Sequence, residues 1–335
     1  MSVVLRLLVP AAWIEAAYSR GFFVGVRTLM DYGLGWLPVP LFYVFWVGVG
    51  VFLLLLWRSF VSVRRLLLRL LAAVCWLVVA FLWLWGYNYG RPPVETYLGF
   101  DRYQPELGEL RRRVYREATA LGELRATITS DTLALPASAL PPALEDSMRA
   151  ALKRTLLAHG YPAPGRPRGW QLRPAGVLLR LSTAGVYWPW AGQGNTDAGL
   201  YHLQQPAVLA HELSHAYGFG DEGTCSFWAL LAADQLSDPA LVYALRLAYW
   251  RQLAGRLRYA DPDNYLRWRQ ERLDPGIRND LAAIYANAAA FTDIAPALRD
   301  ATYTAYLKAQ GIHEGLLNYG RVVQLVEGYR RRSAG

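Results

Sequence analysis

Several things are scarce or missing in this chain. Of its 335 residues only 2 are cysteine and 3 are methionine. Cys75 lies inside a long apolar run and Cys225 beside a histidine pair, so no disulfide framework is expected. No G-x-x-x-x-G-K-[ST] or G-x-G-x-x-G is present, so the polar stretch Gly192-Gln193-Gly194-Asn195 does not read as a phosphate cradle. Charge is absent from Tyr32 to Trp57 and again from Leu70 to Gly90. Each stretch meets the requirement of about 20 apolar residues for a spanning helix. Neither has an ionisable residue in its middle, which argues against a transporter or channel.

Acid is absent between the two stretches, where Arg58, Arg64, Arg65 and Arg69 stand. The positive-inside rule places that loop in the cytoplasm and everything after Gly90 outside it. Pro38 and Pro40 start the first span near Leu41, so the spans are expected at about 38–57 and 68–88. Trp36, Tyr43, Trp57, Trp83, Trp85, Tyr87 and Tyr89 suit interfacial belts. Residues 1–20 read as a short span or an interfacial helix, with Arg6 and Pro10 interrupting any cleavable signal. The expected division is a membrane anchor at 1–90 and an extracytoplasmic domain at 91–335.

The chain carries a formal charge of +9. Much of it comes from arginines within Arg111 to Arg113, Arg251 to Arg272 and Arg330 to Arg332. No aromatic-and-basic motif accompanies them, so nucleic acid is not an expected partner. The run Arg111 to Glu117 reads as a solvated helix face near the membrane.

Apolar residues at helical spacing predict helices at Tyr103–Thr127, Ala143–His159, Pro239–Leu257, Pro262–Arg272, Gly276–Phe291, Ile294–Gln310 and Asn318–Arg331. Tyr243, Trp250, Trp268 and Tyr285 are expected in the core. His159 reads as a helix C-cap, and His202 as a surface or capping residue. Between Trp170 and Trp190 the pattern changes. V-L-L-R-L-S and G-V-Y-W-P-W are rich in β-formers and predict a small sheet with Gly185–Trp190 as its last strand. Gly192 to Asn195 would then be a loop. The fold class is α+β, mainly helical.

Chemistry concentrates in H-E-L-S-H-A-Y-G-F-G-D-E-G-T-C-S-F, His211 to Phe227. Histidines four apart on a helix share one face, so His211 and His215 can hold one zinc ion through ring nitrogens. Glu212 beside them is a carboxylate able to take a proton from a metal-bound water. Gly218, Gly220 and Gly223 follow, so the helix should stop near Tyr217 and the chain turn back. A third protein ligand is expected. Asp221 completes H-E-x-x-H-x-x-G-x-x-D, but that spacing goes with a downstream methionine turn, and the last methionine is Met148. Glu222 opens a second apolar helix and is the preferred third ligand. Cys225, one turn further on, remains an alternative. Such a centre also needs a donor for an oxyanion. Tyr306, His313, Tyr319 and Arg321 are candidates, with Tyr319 preferred.

The E-x-x-C-S of Glu222 to Ser226 resembles the E-x-x-A-[DN] second motif of gluzincin metallopeptidases such as the HtpX-like and CAAX prenyl endopeptidases. More closely, the chain resembles an uncharacterised bacterial family of membrane-anchored, gluzincin-like zinc peptidases. That resemblance rests on W-G-Y-N-Y-x-R (Trp85 to Arg91), G-V-Y-W-P-W (Gly185 to Trp190), the histidine block, and Y-L-K-x-x-G…Y-x-R-V-V-x-L (Tyr306 to Leu325). It implies a zincin-like domain and a multi-pass protein of the bacterial inner membrane. It implies a zinc metalloendopeptidase acting on a peptide or protein substrate, in a membrane-proximal or a soluble target, with the lipid bilayer as a further partner and an edge strand pairing to the substrate backbone. Cys225 and Ser226 depart from the usual Ala and Asn or Asp. In gluzincins that acid or amide orients a ligand histidine, which a serine does more weakly. The competing expectation is an inactive or conditional zinc-binding interaction protein of the cell envelope.

Overall fold

The structure is a computed structural model that describes residues 8–59 and 62–334. It is mainly helical, with one mixed three-stranded sheet. Residues 1–7 of the expected N-terminal span lie outside the described residues. From Ala11 the chain is helical to Gly33, with a π-helical middle at Ile14–Phe22. Ile14, Tyr18 and Phe23 on this segment are buried together with Leu82, Trp85, Tyr87 and Tyr187. The segment is thus packed into the protein through one face.

Two helices, Leu41–Arg58 and Val63–Leu84, are long and apolar enough to cross a membrane, and little of either is buried within the protein. The first begins where Pro40 allows it. The second begins and ends earlier than the expected 68–88. Its C-terminal turn gives way to a 3-10 segment at Gly86–Gly90. Trp85, Tyr87 and Asn88 there are buried, so this aromatic cluster belongs to the protein interior and not to an interfacial belt.

Both helices meet the sheet at the ends remote from the arginine-bearing turn. The Leu41 amide donates to Gln193 Oε1 at 2.9 Å, and Phe42, Phe45 and Trp46 surround the Trp188 ring. From the second helix, the Leu77 carbonyl accepts from Trp190 Nε1 at 3.3 Å.

The strands are β1 (Gly169–Leu172), β2 (Gly185–Trp188) and β3 (Gln193–Asp197), in the order β1-β3-β2. β3 is parallel to β1 and antiparallel to β2, with Gly185 opposite Thr196 and Trp188 opposite Gln193. Two expectations change here. V-L-L-R-L-S is no strand: its Leu179–Leu181 forms a 3-10 turn. Gly192–Asn195 is no exposed loop: Gln193 to Asp197 is the buried central strand. Its polar side chains are held by backbone. The Asp197 carboxylate accepts from the amides of Gly176, Leu178, Leu179 and Gly199. A buried carboxylate is tolerated when its lone pairs are met in this way.

The remaining helices follow the apolar spacing: Leu107–Ala126, Leu144–Ala158, Pro239–Ala260, Pro262–Glu271, Pro275–Ala289, Pro296–Ala309 and Arg321–Ala334. Asp238 and Asp274 cap two of them by accepting from first-turn amides. Tyr243 and Trp250 are core residues and Trp268 is partly buried against the core. Tyr285 is 50% exposed. Its position fits helical spacing, but that face of its helix borders a cavity. Arg111 and Arg113 are less solvated than expected, because they pair with Asp261 and Glu327.

Candidate metal centre

The motif helix, Gln205–Ala216, carries His211, Glu212 and His215. It ends at Ala216, and Gly218 follows with φ of 88°. A side chain there would strain the backbone and strike the Phe23 ring and Asn88. The turn brings the Phe219 carbonyl back to His215 Nδ1 at 2.7 Å. Two residues of the W-G-Y-N-Y-x-R segment brace it. Trp85 Nε1 donates to the His215 carbonyl at 2.7 Å, and Arg91 donates to the Gly218 carbonyl at 2.9 Å.

The return helix, Glu222–Leu231, begins behind an Asp221 cap that accepts from the Thr224 amide at 2.7 Å. The other Asp221 oxygen accepts from Asn318 and Arg321. Asp221 is therefore committed to capping and an ion pair. Glu222, Cys225 and Ser226 lie at helical offsets of three and four and share a face. Glu222 Oε2 lies 2.9 Å from His211 Nε2 and 3.3 Å from His215 Nε2. The two Nε2 atoms are 3.1 Å apart. Ser226 Oγ lies 3.0 Å from His211 Nδ1, and Cys225 Sγ 3.3 Å from His215 Nδ1. Ser226 thus touches a ligand-candidate histidine through its hydroxyl.

The donor set suits a cation. The Phe219 carbonyl accepts from His215 Nδ1. In the neutral ring Nε2 therefore turns a lone pair toward the Glu222 carboxylate; in the protonated ring, which burial opposes and Cys225 and Glu222 favour, Nε2 donates to it. Two acceptors so placed repel unless a cation or proton lies between them. Burial raises the Glu222 carboxyl. His215 and hydrogen bonds from both histidines outweigh it and hold the group well below the usual carboxylate range. Burial lowers His211, against the hydrogen bond it gives to Glu222. His211, His215 and Cys225 also form a buried group whose ligand atoms fall within 4.8 Å of one another, and this group could hold a metal ion. Burial pushes the Cys225 thiol up to about 12.

Glu212 faces the sheet. A Cβ at Gly185 would come 2.7 Å from Glu212 Oε1, so glycine is what lets β2 approach the carboxylate. Burial pushes the Glu212 carboxyl up to about 8, opposed by His215 and reinforced by Glu222. The Tyr319 ring lies parallel over His211, with centroids 6.0 Å apart. Tyr303, which sequence reasoning missed, donates to Glu222 Oε1 at 2.8 Å and lies 3.3 Å from the Tyr319 hydroxyl.

Of the remaining candidates, Tyr306 lines the same cavity as the histidines, while Arg321 and His313 do not. Tyr306 lies 3.1 Å from the Tyr89 hydroxyl, Arg321 pairs with Asp221 and Glu95, and His313 is exposed. His202 meets the Leu135 carbonyl, and His159 caps its helix through the Thr155 carbonyl. His211, Glu212, His215, Glu222 and Tyr319 all line one open cavity of about 1790 Å³.

No match is found among curated proteins or among solved structures. A family profile described as "Protein of unknown function (DUF3810)" matches residues 18–326, which is most of the chain, and the chain belongs to that family.

Proposed function

We propose that the chain is a membrane-associated, zinc-dependent metallopeptidase of gluzincin-like construction. His211, His215 and Glu222 are the ligands and Glu212 is the proton carrier. One observation carries the reading: two imidazole Nε2 atoms and a carboxylate oxygen converge within 3.3 Å on the wall of an open cavity. Imidazole and carboxylate donors suit zinc. When bound, such a metal supplies a Lewis acid that polarises a carbonyl and acidifies water. Glu212 takes a proton from the attacking water and returns it to the leaving amine. Ser226 and the Phe219 carbonyl fix the two rings, and Tyr303 orients Glu222. Tyr319 faces the same cavity and supplies a hydroxyl donor for the oxyanion. The arginine-bearing turn lies at the cytoplasmic end of a helix pair whose other ends meet the sheet. The reaction therefore takes place on the periplasmic side of a multi-pass inner-membrane protein.

The test compares wild-type protein with Glu212→Gln, both purified in detergent. Each is expected to carry zinc, and only the wild type to cleave a peptide library. Equal turnover in both would reject the assignment of the base.

A second reading keeps the metal for structure alone, within an interaction protein of the cell envelope. The buried His211–His215–Cys225 group favours it. Zinc that survives Glu222→Ala and is lost in Cys225→Ala would favour that reading over the first.

A further inference from the structure

The cavity beside the histidines continues along the second membrane-spanning helix. Val74, Leu77, Val78, Phe81, Leu82 and Trp85 all line it. Their spacing is that of a single helix face. Trp85 ends this stripe against His215, with ring centroids 5.9 Å apart. Val74, at the other end, is 56% exposed. At a rise of about 1.5 Å per residue, the stripe reaches roughly 15 Å down from Leu84, about half of a hydrocarbon layer. A second wall comes from the helix Pro296–Ala309, where Leu298 lines the cavity and is 66% exposed.

Between the walls lies β2, an edge strand whose outer side has no strand partner among the described residues. Gly185 to Trp190 border the cavity throughout. Gly185 and Tyr187 turn their backbone groups outward, the Tyr187 amide toward Glu212, and an edge of this kind recognises another extended backbone. The volume of about 1790 Å³ exceeds the range of roughly 300–1,000 Å³ usual for small-molecule sites.

We infer that the substrate is a polypeptide held in the bilayer by an apolar transmembrane helix. That helix packs on the Val74–Phe81 stripe, and the chain leaving it extends along β2 to the histidines. The cut then falls in the first extended residues outside the hydrocarbon layer. This inference rests on the metallopeptidase reading.

The experiment uses the full chain, zinc-loaded, in lipid nanodiscs, with three synthetic hydroxamate peptides. One is soluble, one is fused to an apolar transmembrane helix, and one carries a palmitoyl chain. Membrane partitioning favours both anchored probes, so the readout is the change between wild type and variant. Val78→Arg is expected to weaken the helix-bearing probe on the order of tenfold or more, and the soluble probe little. Leu298→Asp sits on an exposed wall outside the span and serves where Val78→Arg fails to insert. It is expected to act in the same direction. An unchanged helix-bearing probe in both variants, or an equal loss for the soluble probe, overturns the inference and leaves the metal reading standing. An equal, variant-sensitive advantage for the palmitoyl probe overturns the choice of a transmembrane helix. Failure of all three probes to bind wild type overturns the metal reading beneath it.

Discussion

Two clusters of buried charge in this protein invite comparison. Asp280, fully buried on the helix Pro275–Ala289, accepts from Arg125 Nε at 2.9 Å, Tyr243 Oη at 2.6 Å and the Leu135 amide at 2.7 Å. Arg125 turns its other nitrogens to the carbonyls of Asp131 and Leu133. Donor meets acceptor throughout, and none of Asp280, Arg125 or Tyr243 lines the large cavity. The histidine cluster is arranged in the opposite sense. Two imidazole Nε2 atoms and a carboxylate oxygen converge on one another, and the group opens onto that cavity. Burial of charge is common to both, so burial alone does not mark a site. Convergent acceptors at a cavity wall do, because such an arrangement wants a cation and leaves room beside it.

The comparison breaks most sharply at Glu212. It lines the cavity but neither imidazole depends on it for position. Glu212→Gln is expected to lower kcat by about 10²–10⁴-fold with zinc retained, as read by peptide cleavage and metal analysis on the same sample. Asp280→Ala should do the reverse. Removing one partner of a buried pair costs about 3–5 kcal/mol, because the other charge is left uncompensated. Thermal unfolding in detergent is expected to shift strongly downward, with one zinc still bound per folded chain. A large stability loss in Glu212→Gln, or zinc loss in Asp280→Ala, would erase the distinction between the clusters.

A smaller effect separates the two histidines. His215 Nδ1 is fixed by backbone, whereas His211 Nδ1 has only the Ser226 hydroxyl. Ser226→Ala is expected to lower zinc affinity by about 10–100-fold, measured by competition with a chelator. Tyr303→Phe frees Glu222 Oε1 from its hydrogen bond and is expected to lower affinity by less, within about tenfold.

Much of this site is legible in the sequence because its spacing is local. His211 and His215 are one turn apart, and Glu222 and Ser226 are one turn apart on the next helix. Helical periodicity alone aligns each pair, and Gly218 marks the turn that brings the pairs together. What was not legible depends on distant partners. Tyr303 lies far along the chain from Glu222 and carries no local signature. Trp85 looks like an interfacial aromatic because it ends an apolar run, yet it spends its indole N–H on the His215 carbonyl. β3 reads as a loop because Gly194, Asn195 and Asp197 are turn formers. Its burial depends on backbone amides from Gly176 to Gly199 that only the folded chain brings to Asp197. The V-L-L-R-L-S run has the composition of a strand, but its Leu178 and Leu179 amides donate to the Asp197 carboxylate and it folds as a 3-10 turn.

The smallest expected effect carries the finest distinction. Cys225 and Glu222 compete for the role of third ligand. The Cys225 sulfur approaches His215 on its Nδ1 side and lies 3.4 Å from the Phe219 carbonyl. Glu222 approaches on the Nε2 side, where His211 Nε2 also points. One metal ion held by both Nε2 atoms therefore meets Glu222 and not Cys225. A metal held through Cys225 would have to take His215 by Nδ1, breaking that nitrogen's hydrogen bond to Phe219. Cys225→Ala is accordingly expected to keep its zinc and its turnover within about twofold, at a stability cost of about 1 kcal/mol for the lost buried side chain. Loss of zinc in Cys225→Ala, with retention in Glu222→Ala, would move the metal to the other side of His215 and away from Glu222.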